Sequence, residues 1–529
     1  MRELDVLIVG AGFAGMYMLH RLRKEGFSVK CFEKGAGVGG TWYWNRYPGA
    51  RCDVESMEYS YSWSEELQQE WEWSERYSGQ PEILRYANHV ADRFDLRRDI
   101  EFETEVLSAH FHATAQRWIV KTGHSETLKC QYLIMATGCL SSTNHPHFDG
   151  LEDFNGRTLH TGEWPHNEVN LENEKVGIIG TGSSAIQAIP HIAEECGHLT
   201  VFQRTPNFSI PARNQPLSAE EVNGIKAEYQ EFRSLNRLMP AALGAKFMGA
   251  TQSALDVEDE RRRQEFENRW EYGGFSFLGA YNDLGLKLEA NKLAAQFVRE
   301  KVSSIVCDPE TAKKLSPHNV IGCKRLCLDT NYYETYNRDN VELVDVNTSP
   351  IERFTADGIK TSDSVYQFDT VIFATGFDAM TGTLLRVDIR GLNGQTLKEK
   401  WYAGPITYLG LMTSGFPNLF MISGPGSPSV LTNMIISIEQ HVDWITDCIN
   451  SIKGKKASLI EPTPDAEQEW VQYVNAVADQ TLYPTCNSWY LGANIPGKPR
   501  VFMPHVGFPN YVARCDDVVA NDYQGFVIQ

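Results

Sequence analysis

Two segments of this 529-residue chain carry glycines and one charged residue at the offsets that grip a dinucleotide. The first reads LDVLIVGAGFAG and then VKCFEK. Gly10, Gly12 and Gly15 turn an apolar run into an amphipathic one, and Glu33 closes the next run. The second reads KVGIIGTGSSAIQ and then LTVFQRT, with Gly180, Gly182 and Ala185 at the turn and Ser183 and Ser184 opening the helix. Arg204 stands at its strand end with Thr205 beside it. An acidic residue at that position accepts hydrogen bonds from a ribose 2′-hydroxyl, whereas an arginine suits a 2′-phosphate. One site therefore expects a nucleotide without that phosphate, the other NADP. Together they describe an oxidoreductase that passes a hydride from NADPH to a flavin-type dinucleotide. Ala185 is permitted in the third glycine position, because that residue serves helix–strand packing and does not touch the pyrophosphate.

The elements that must position these residues predict an α/β fold of two Rossmann-like dinucleotide-binding domains, for FAD and NADP, the latter carrying a helical insertion. The first pattern, at 4–34, leads into a Gly- and aromatic-rich loop, GVGGTWYWNRYPGARCDVES at 37–56. Strand signals at 100–138 end in YLIMATG, and 143–150 reads as a linker into the second nucleotide unit. Residues 214–320 are helical by period and rich in charge. In EDERRR, Glu258 and Asp259 precede Arg262 and Arg263 by four residues, the spacing of a solvated helix face. Strand signals return at 341–346 and 370–376, where a second Ala-Thr-Gly places small residues for close approach of the backbone to a cofactor. The expected boundaries are 1–142 and 377–529 for the FAD domain, 143–213 and 326–376 for the NADP domain, and 214–325 for the helical subdomain.

A formal net charge of −19 argues against nucleic acid and anionic membranes as partners. No run approaches the 18 apolar residues of a membrane span, and the first strand begins within four residues of Met1, so a cytoplasmic location is expected. Eleven scattered cysteines with no CxxC predict neither a disulfide framework nor a metal site, and Cys323 and Cys327 read as structural thiols. The absence of CxxC also excludes a disulfide reductase.

Phe154, Gly156, His160, Trp164 and Pro165 spell FxGxxxHxxxWP just before the second fingerprint. This motif resembles the signature of type I Baeyer–Villiger monooxygenases. The resemblance extends over the whole chain through GTWYWNRYPGARCD, TVFQRTPNFSIPARN, FATGFDA, FPNLFMISGPGSPS and SWYLGANIPGKPRVF, and it is nearer to phenylacetone-oxidising than to cyclohexanone-oxidising members. It implies non-covalent FAD held at Gly10, Gly12, Gly15, Glu33, Gly40, Thr41, Trp42 and Asp53. It implies NADPH held at Gly180, Gly182, Ser183, Ser184, Arg204, Thr205, Lys324 and Trp489. O2 and a small-molecule ketone are the implied co-substrates, a peroxyflavin the implied oxidant, an ester or lactone the product, and sulfoxidation a side reaction. The chain is expected to act as a monomer.

Within that resemblance, Arg325 matches the active-site arginine and Asp53 the aspartate that orients it. An arginine suits the role because its guanidinium stays charged and cannot act as an acid that quenches a peroxyanion. His160 and Trp164, with Phe154 and Gly156, belong to a hinge between the nucleotide domains. Cys139, Ser429, Val430 and Met434 match the ketone pocket, with Cys139 replacing a glutamine. MPHVGFPNY, from Met503, departs from a glycine pair, so substrate contacts are not carried across 503–511. The alternative readings are a flavin N- or S-monooxygenase, lacking the paired Asp53 and Arg325, and an idle NADPH sensor.

Overall fold

The computed structural model describes residues 2–247, 250–498 and 506–529. Val6, Leu7, Ile8 and Val9 are buried consecutively, the continuous apolar run of a parallel strand covered on both faces. Their strand, Arg2–Val9, lies between Val29–Phe32 and Thr127–Met135, parallel to both. The sheet continues through Ile100–Glu101 on one side. On the other it runs through the antiparallel pair Arg117–Thr122 and Val106–His112. Asp388–Arg390 and Leu419–Met421, from the far end of the chain, complete eight strands. The return of the C-terminal segment to the first sheet is thus built into its hydrogen bonding.

The second sheet has five parallel strands in the order Val341–Asp345, His198–Gln203, Lys175–Ile179, Thr370–Phe373 and Arg157–His160. In each sheet the first glycine of the turn is forced by space. Gly10 and Gly180 have φ of +103° and +118°, and a Cβ would lie 2.7 Å from the Ala136 carbonyl oxygen and 2.5 Å from that of Ala374. The two Ala-Thr-Gly segments therefore pack against the glycine turns themselves. The two chain crossings between the sheets run side by side: the Asp378 amide donates to Ser142 O at 2.7 Å and Asn144 to Gly376 O at 2.9 Å.

Between 212 and 326 the described residues form helices and no strand. They do not pack as one unit. Ala219–Ala227 and Tyr229–Arg237 lie on the first sheet's core, where Arg233 Nη1 donates to Glu58 O at 2.7 Å. Asp259–Tyr272 and Leu288–Ile305 build a separate aromatic core from Phe266, Trp270, Phe277 and Phe297. The solvated face expected at EDERRR holds for Glu258, Asp259, Glu260, Arg261 and Arg263, which are exposed, and fails only at Arg262. Arg262 is largely buried, donating to Ala254 O and Val257 O and pairing with Asp259 three residues away, while Arg263 reaches across to Glu300 at 2.8 Å. Carbonyl oxygens of the preceding loop lie within reach of Arg262 and draw it inward. Among the described residues no helix is long and apolar enough to cross a membrane.

Candidate active site

At the first glycine turn, the loop that follows closes down on the backbone. A Cβ at Gly40, whose φ is +52°, would stand 2.9 Å from Gly12 Cα, and the Gly39 amide donates to Ala11 O at 3.1 Å. Helix Phe13–Lys24 starts there without a side-chain cap, leaving amide donors at its N-terminus for an anion. Glu33 is buried and accepts from the Ala11 amide at 2.8 Å and the Gly35 amide at 2.7 Å. Burial raises its carboxyl pKa and the two amides pull it back, so a carboxylate with spare lone pairs faces the turn. Trp42 is buried, its Nε1 donating to Tyr59 Oη at 3.3 Å, while Thr41 is exposed at the head of the short helix Thr41–Trp44.

The same loop carries Asp53 to the seam between the sheets. Tyr47 Oη donates to Gln187 Oε1 at 2.8 Å, and Gln187 Nε2 donates to Arg51 O at 3.1 Å. Gln187 sits on helix Ser183–Glu195 of the second sheet, so one side chain ties the loop of the first nucleotide turn to the helix of the second. Across that seam Arg325 grips Asp53 with two nitrogens, Nε to Oδ2 at 2.9 Å and Nη2 to both oxygens at 2.6 Å. Nη1 donates to Val430 O at 3.2 Å, the Phe275 ring centroid lies 5.4 Å from Cζ, and the Tyr490 hydroxyl accepts a further hydrogen bond. Burial alone would lower the guanidinium pKa. The Asp53 carboxylate and the Tyr490 hydroxyl together outweigh it and hold the pKa well above the usual arginine range. The result is a fixed cation in a mostly apolar, aromatic setting, the arrangement that stabilises charge developing on an oxygen.

The second turn keeps its space open. A Cβ at Gly182 would meet nothing within 4 Å, where the Gly12 turn already faces Gly40. Ser183 and Ser184 begin the helix, with Ser183 Oγ 3.2 Å from Cys327 Sγ. Arg204 and Thr205 are exposed just past the strand end. Burial lowers the Lys324 ammonium pKa and the nearby Arg204 lowers it further. Two cations brought together make a site whose repulsion a phosphate dianion would relieve.

Cys139 and Tyr490, both buried, form one apolar cluster with Ala379 and Met380, and Val430, Met434 and Trp489 pack against it. The Ser429 hydroxyl points to the same place, hydrogen-bonding Cys139, whose thiol pKa burial pushes up. The four pocket residues expected from the resemblance therefore converge, and Val430 links them to Arg325. Departures expected at Met503–His505 lie outside the described residues. Beyond them Gly507, at φ +79°, opens helix Phe508–Ala520, and the Phe508 amide donates to Pro240 O at 2.8 Å.

His160 ends the edge strand of the second sheet, buried against both chain crossings. Its Nδ1 accepts from the Gly162 amide at 3.0 Å, which places the proton of the neutral ring on Nε2, facing Asn144 O at 3.3 Å and Thr375 Oγ1 at 3.2 Å. Burial lowers its pKa, and His145, its ring tilted 44° to that of His160 with centroids 4.8 Å apart, lowers it further. His145 looks incidental in the sequence, yet it also meets Glu163 at 3.1 Å. Trp164 is buried in the second core, and Phe154 packs on Phe354 beside Gly156.

One expectation is corrected at this site. Cys323, read as a structural thiol in a chain without disulfides, is bonded to Cys486. The partners are 163 residues apart, so no local spacing announces them. Sequence reasoning also missed Gln187, Phe275 and Tyr490, whose roles arise only where distant segments meet.

Comparison with known proteins agrees with this geometry. The pyridine nucleotide-disulphide oxidoreductase family matches residues 7–236. The chain is 43% identical to the Baeyer-Villiger monooxygenase of Pseudooceanicola batsensis, over 96% of this chain and 93% of that protein. The chain belongs to the Baeyer–Villiger monooxygenase family. It is also 41% identical to phenazine N-monooxygenase PhzNO1 of Lysobacter antibioticus, over 99% of this chain and 97% of that one. The crystal structure of OTEMO in complex with FAD and NADP superposes with a TM-score of 0.96 at 38% identity, covering 99% of each chain. The family's two nucleotide folds correspond to the two sheets described above.

Proposed function

We propose that this Baeyer–Villiger monooxygenase family member uses FAD and NADPH to insert one atom of O2 beside a ketone carbonyl, giving an ester or lactone. The observation that carries this reading is the doubly bonded Asp53–Arg325 pair on the seam between two dinucleotide folds, at 2.6–2.9 Å. When bound, the flavin supplies oxygen activation and the nicotinamide supplies the hydride.

The remaining work falls to the chain's own residues. Gly10, Gly12, Gly15, Glu33, Gly40, Thr41, Trp42 and Asp53 line the flavin nucleotide, within a domain of 1–142 and 377–529. Gly180, Gly182, Ser183, Ser184 and Thr205 receive the second nucleotide, within 143–213 and 326–376, and Arg204 and Lys324 bind its 2′-phosphate. Arg325 holds a positive charge against oxygen as negative charge builds there, and Asp53 fixes the direction of its fork. Cys139, Ser429, Val430 and Met434 exclude water and seat the ketone, with Trp489 closing over the nicotinamide side.

The test is product analysis with a panel of cyclic, linear, aryl and steroidal ketones. The expected outcome is NADPH consumption that rises on adding ketone, with ester or lactone formed in equal amount. The likeness to phenazine N-monooxygenase PhzNO1 favours a second reading, oxygen transfer to an aromatic nitrogen. Phenazine in the same panel decides between them: N-oxide with every ketone inert would replace the first reading with the second. Sulfoxidation of an aryl methyl sulfide is expected as a slower side reaction.

A further inference from the structure

Cys323 immediately precedes Lys324 and Arg325, and Cys486 lies three residues before Trp489 and four before Tyr490. Their disulfide therefore joins the loop of the phosphate-binding and oxyanion-stabilising cations to the segment whose tyrosine hydrogen-bonds Arg325. Trp489 and Tyr490 also pack on the cluster of Cys139, Ala379 and Met380, and further hydrogen bonds hold the segment on either side. The Leu482 amide donates to Gly285 O at 2.9 Å, Asn494 Nδ2 donates to Phe377 O at 2.7 Å, and Lys498 bonds Ala379 O at 2.6 Å and Asp378. In the middle, Thr485 and Asn487 are exposed and Cys486 is half-buried, whereas Cys323 is buried. The other nine cysteines are free, and eight of these are buried.

We propose that Cys323 and Cys486 form a redox latch, which rests on the reading of the 489–490 segment as part of the oxygenase site. Oxidised, the pair clips the segment over Arg325 and the pocket. Reduced, it lets the segment lift and exchange NADP+. Cys486, the more accessible sulfur, attacks hydrogen peroxide as the thiolate; the O–O bond breaks, a sulfenic acid forms, and water leaves after taking a proton. The Cys323 thiolate then attacks that sulfur, the S–O bond breaks, and hydroxide leaves as a second water once protonated. Two thiols and one peroxide thus become one disulfide and two waters. A small dithiol reverses the step by exchange, leaving with its own sulfurs oxidised.

The experiment treats the flavin-loaded protein with hydrogen peroxide or dithiothreitol, blocks free thiols with N-ethylmaleimide, and maps peptides by mass spectrometry. A 323–486 crosslinked peptide is expected after peroxide and none after dithiothreitol. NADP+ dissociation is then followed by stopped flow in both forms and in Cys486→Ser. The crosslinked protein is expected to release NADP+ several-fold more slowly than the reduced protein, and Cys486→Ser to match the reduced rate and ignore peroxide. Both cysteines still alkylated after peroxide would overturn the pairing. A crosslink that leaves the release rate at the Cys486→Ser value would overturn the latch. Neither readout depends on ketone oxygenation, so failure of the proposed reaction is seen separately, in the product panel.

Discussion

Burial lowers the Lys324 ammonium pKa and the nearby Arg204 lowers it further, and the proposed 2′-phosphate between them would exchange that repulsion for charge-assisted hydrogen bonds. Each such bond is worth about 1.5–3 kcal/mol. Replacing both residues by alanine is therefore expected to weaken NADPH by at least ~10²-fold while leaving NADH nearly unchanged. Titration of the two coenzymes against the double variant checks this, and equal losses would remove the assignment. The position of Arg204 just past the end of its strand was legible in the sequence, because the apolar run of that strand ends at Gln203. The Asp53–Arg325 pair was not. Its partners lie 272 residues apart, and only family likeness drew attention to them. Tyr490 gave no signal at all, since a tyrosine beside a tryptophan reads as core.

At the scale of elements, the two glycine turns were legible because a strand, a tight turn and a helix must follow one another within a dozen residues. The seam between them was not, since it depends on Gln187, a helix residue with no motif, reaching Tyr47 and Arg51. The helical stretch was recognised by its period, but its division between two cores depends on contacts such as Arg233 to Glu58 O that no local pattern encodes. His160 binds both chain crossings at once, through Asn144 O and Thr375 Oγ1. If these crossings are the axis on which the nucleotide units turn, His160→Ala is expected to retain FAD, lower overall turnover and release more of the NADPH electrons as hydrogen peroxide. Stopped-flow reduction and reoxidation with a peroxide assay read all three. Unchanged turnover with tight coupling would make His160 a packing residue only.

At the scale of the whole molecule, a buried histidine contributes to the pH dependence of stability. His441, on the long helix Met434–Gly454, is buried with its pKa pulled down to about 3. Its Nδ1 accepts from the Ser423 amide at 3.0 Å, and its other nitrogen lies 2.9 Å from Tyr511 Oη, whose proton goes to Leu409 O at 2.7 Å. The ring is therefore neutral in the fold. As pH falls below about 6.5 the unfolded chain takes up a proton that the folded chain refuses, so the contribution is present above that value and is lost progressively toward pH 3. A loss of a few kcal/mol is expected across this window. Glutamine can reproduce both hydrogen bonds without titrating. His441→Gln should thus show a shallower fall in stability between pH 6.5 and 4, measured by denaturant unfolding. Identical slopes would exclude His441 as the cause.

In the proposed reaction an aspartate-held arginine between two nucleotide folds drives oxygen insertion beside a carbonyl. Its most direct test gives wild type and Arg325→Ala the same ketone under 18O2 with NADPH, and counts labelled ester against NADPH consumed. In wild type, one labelled oxygen per ester and near-equal ester and NADPH are expected. In the variant, ester formation should fall by at least ~10²-fold while FAD remains bound. Labelled ester formed by Arg325→Ala at the wild-type rate would contradict the account.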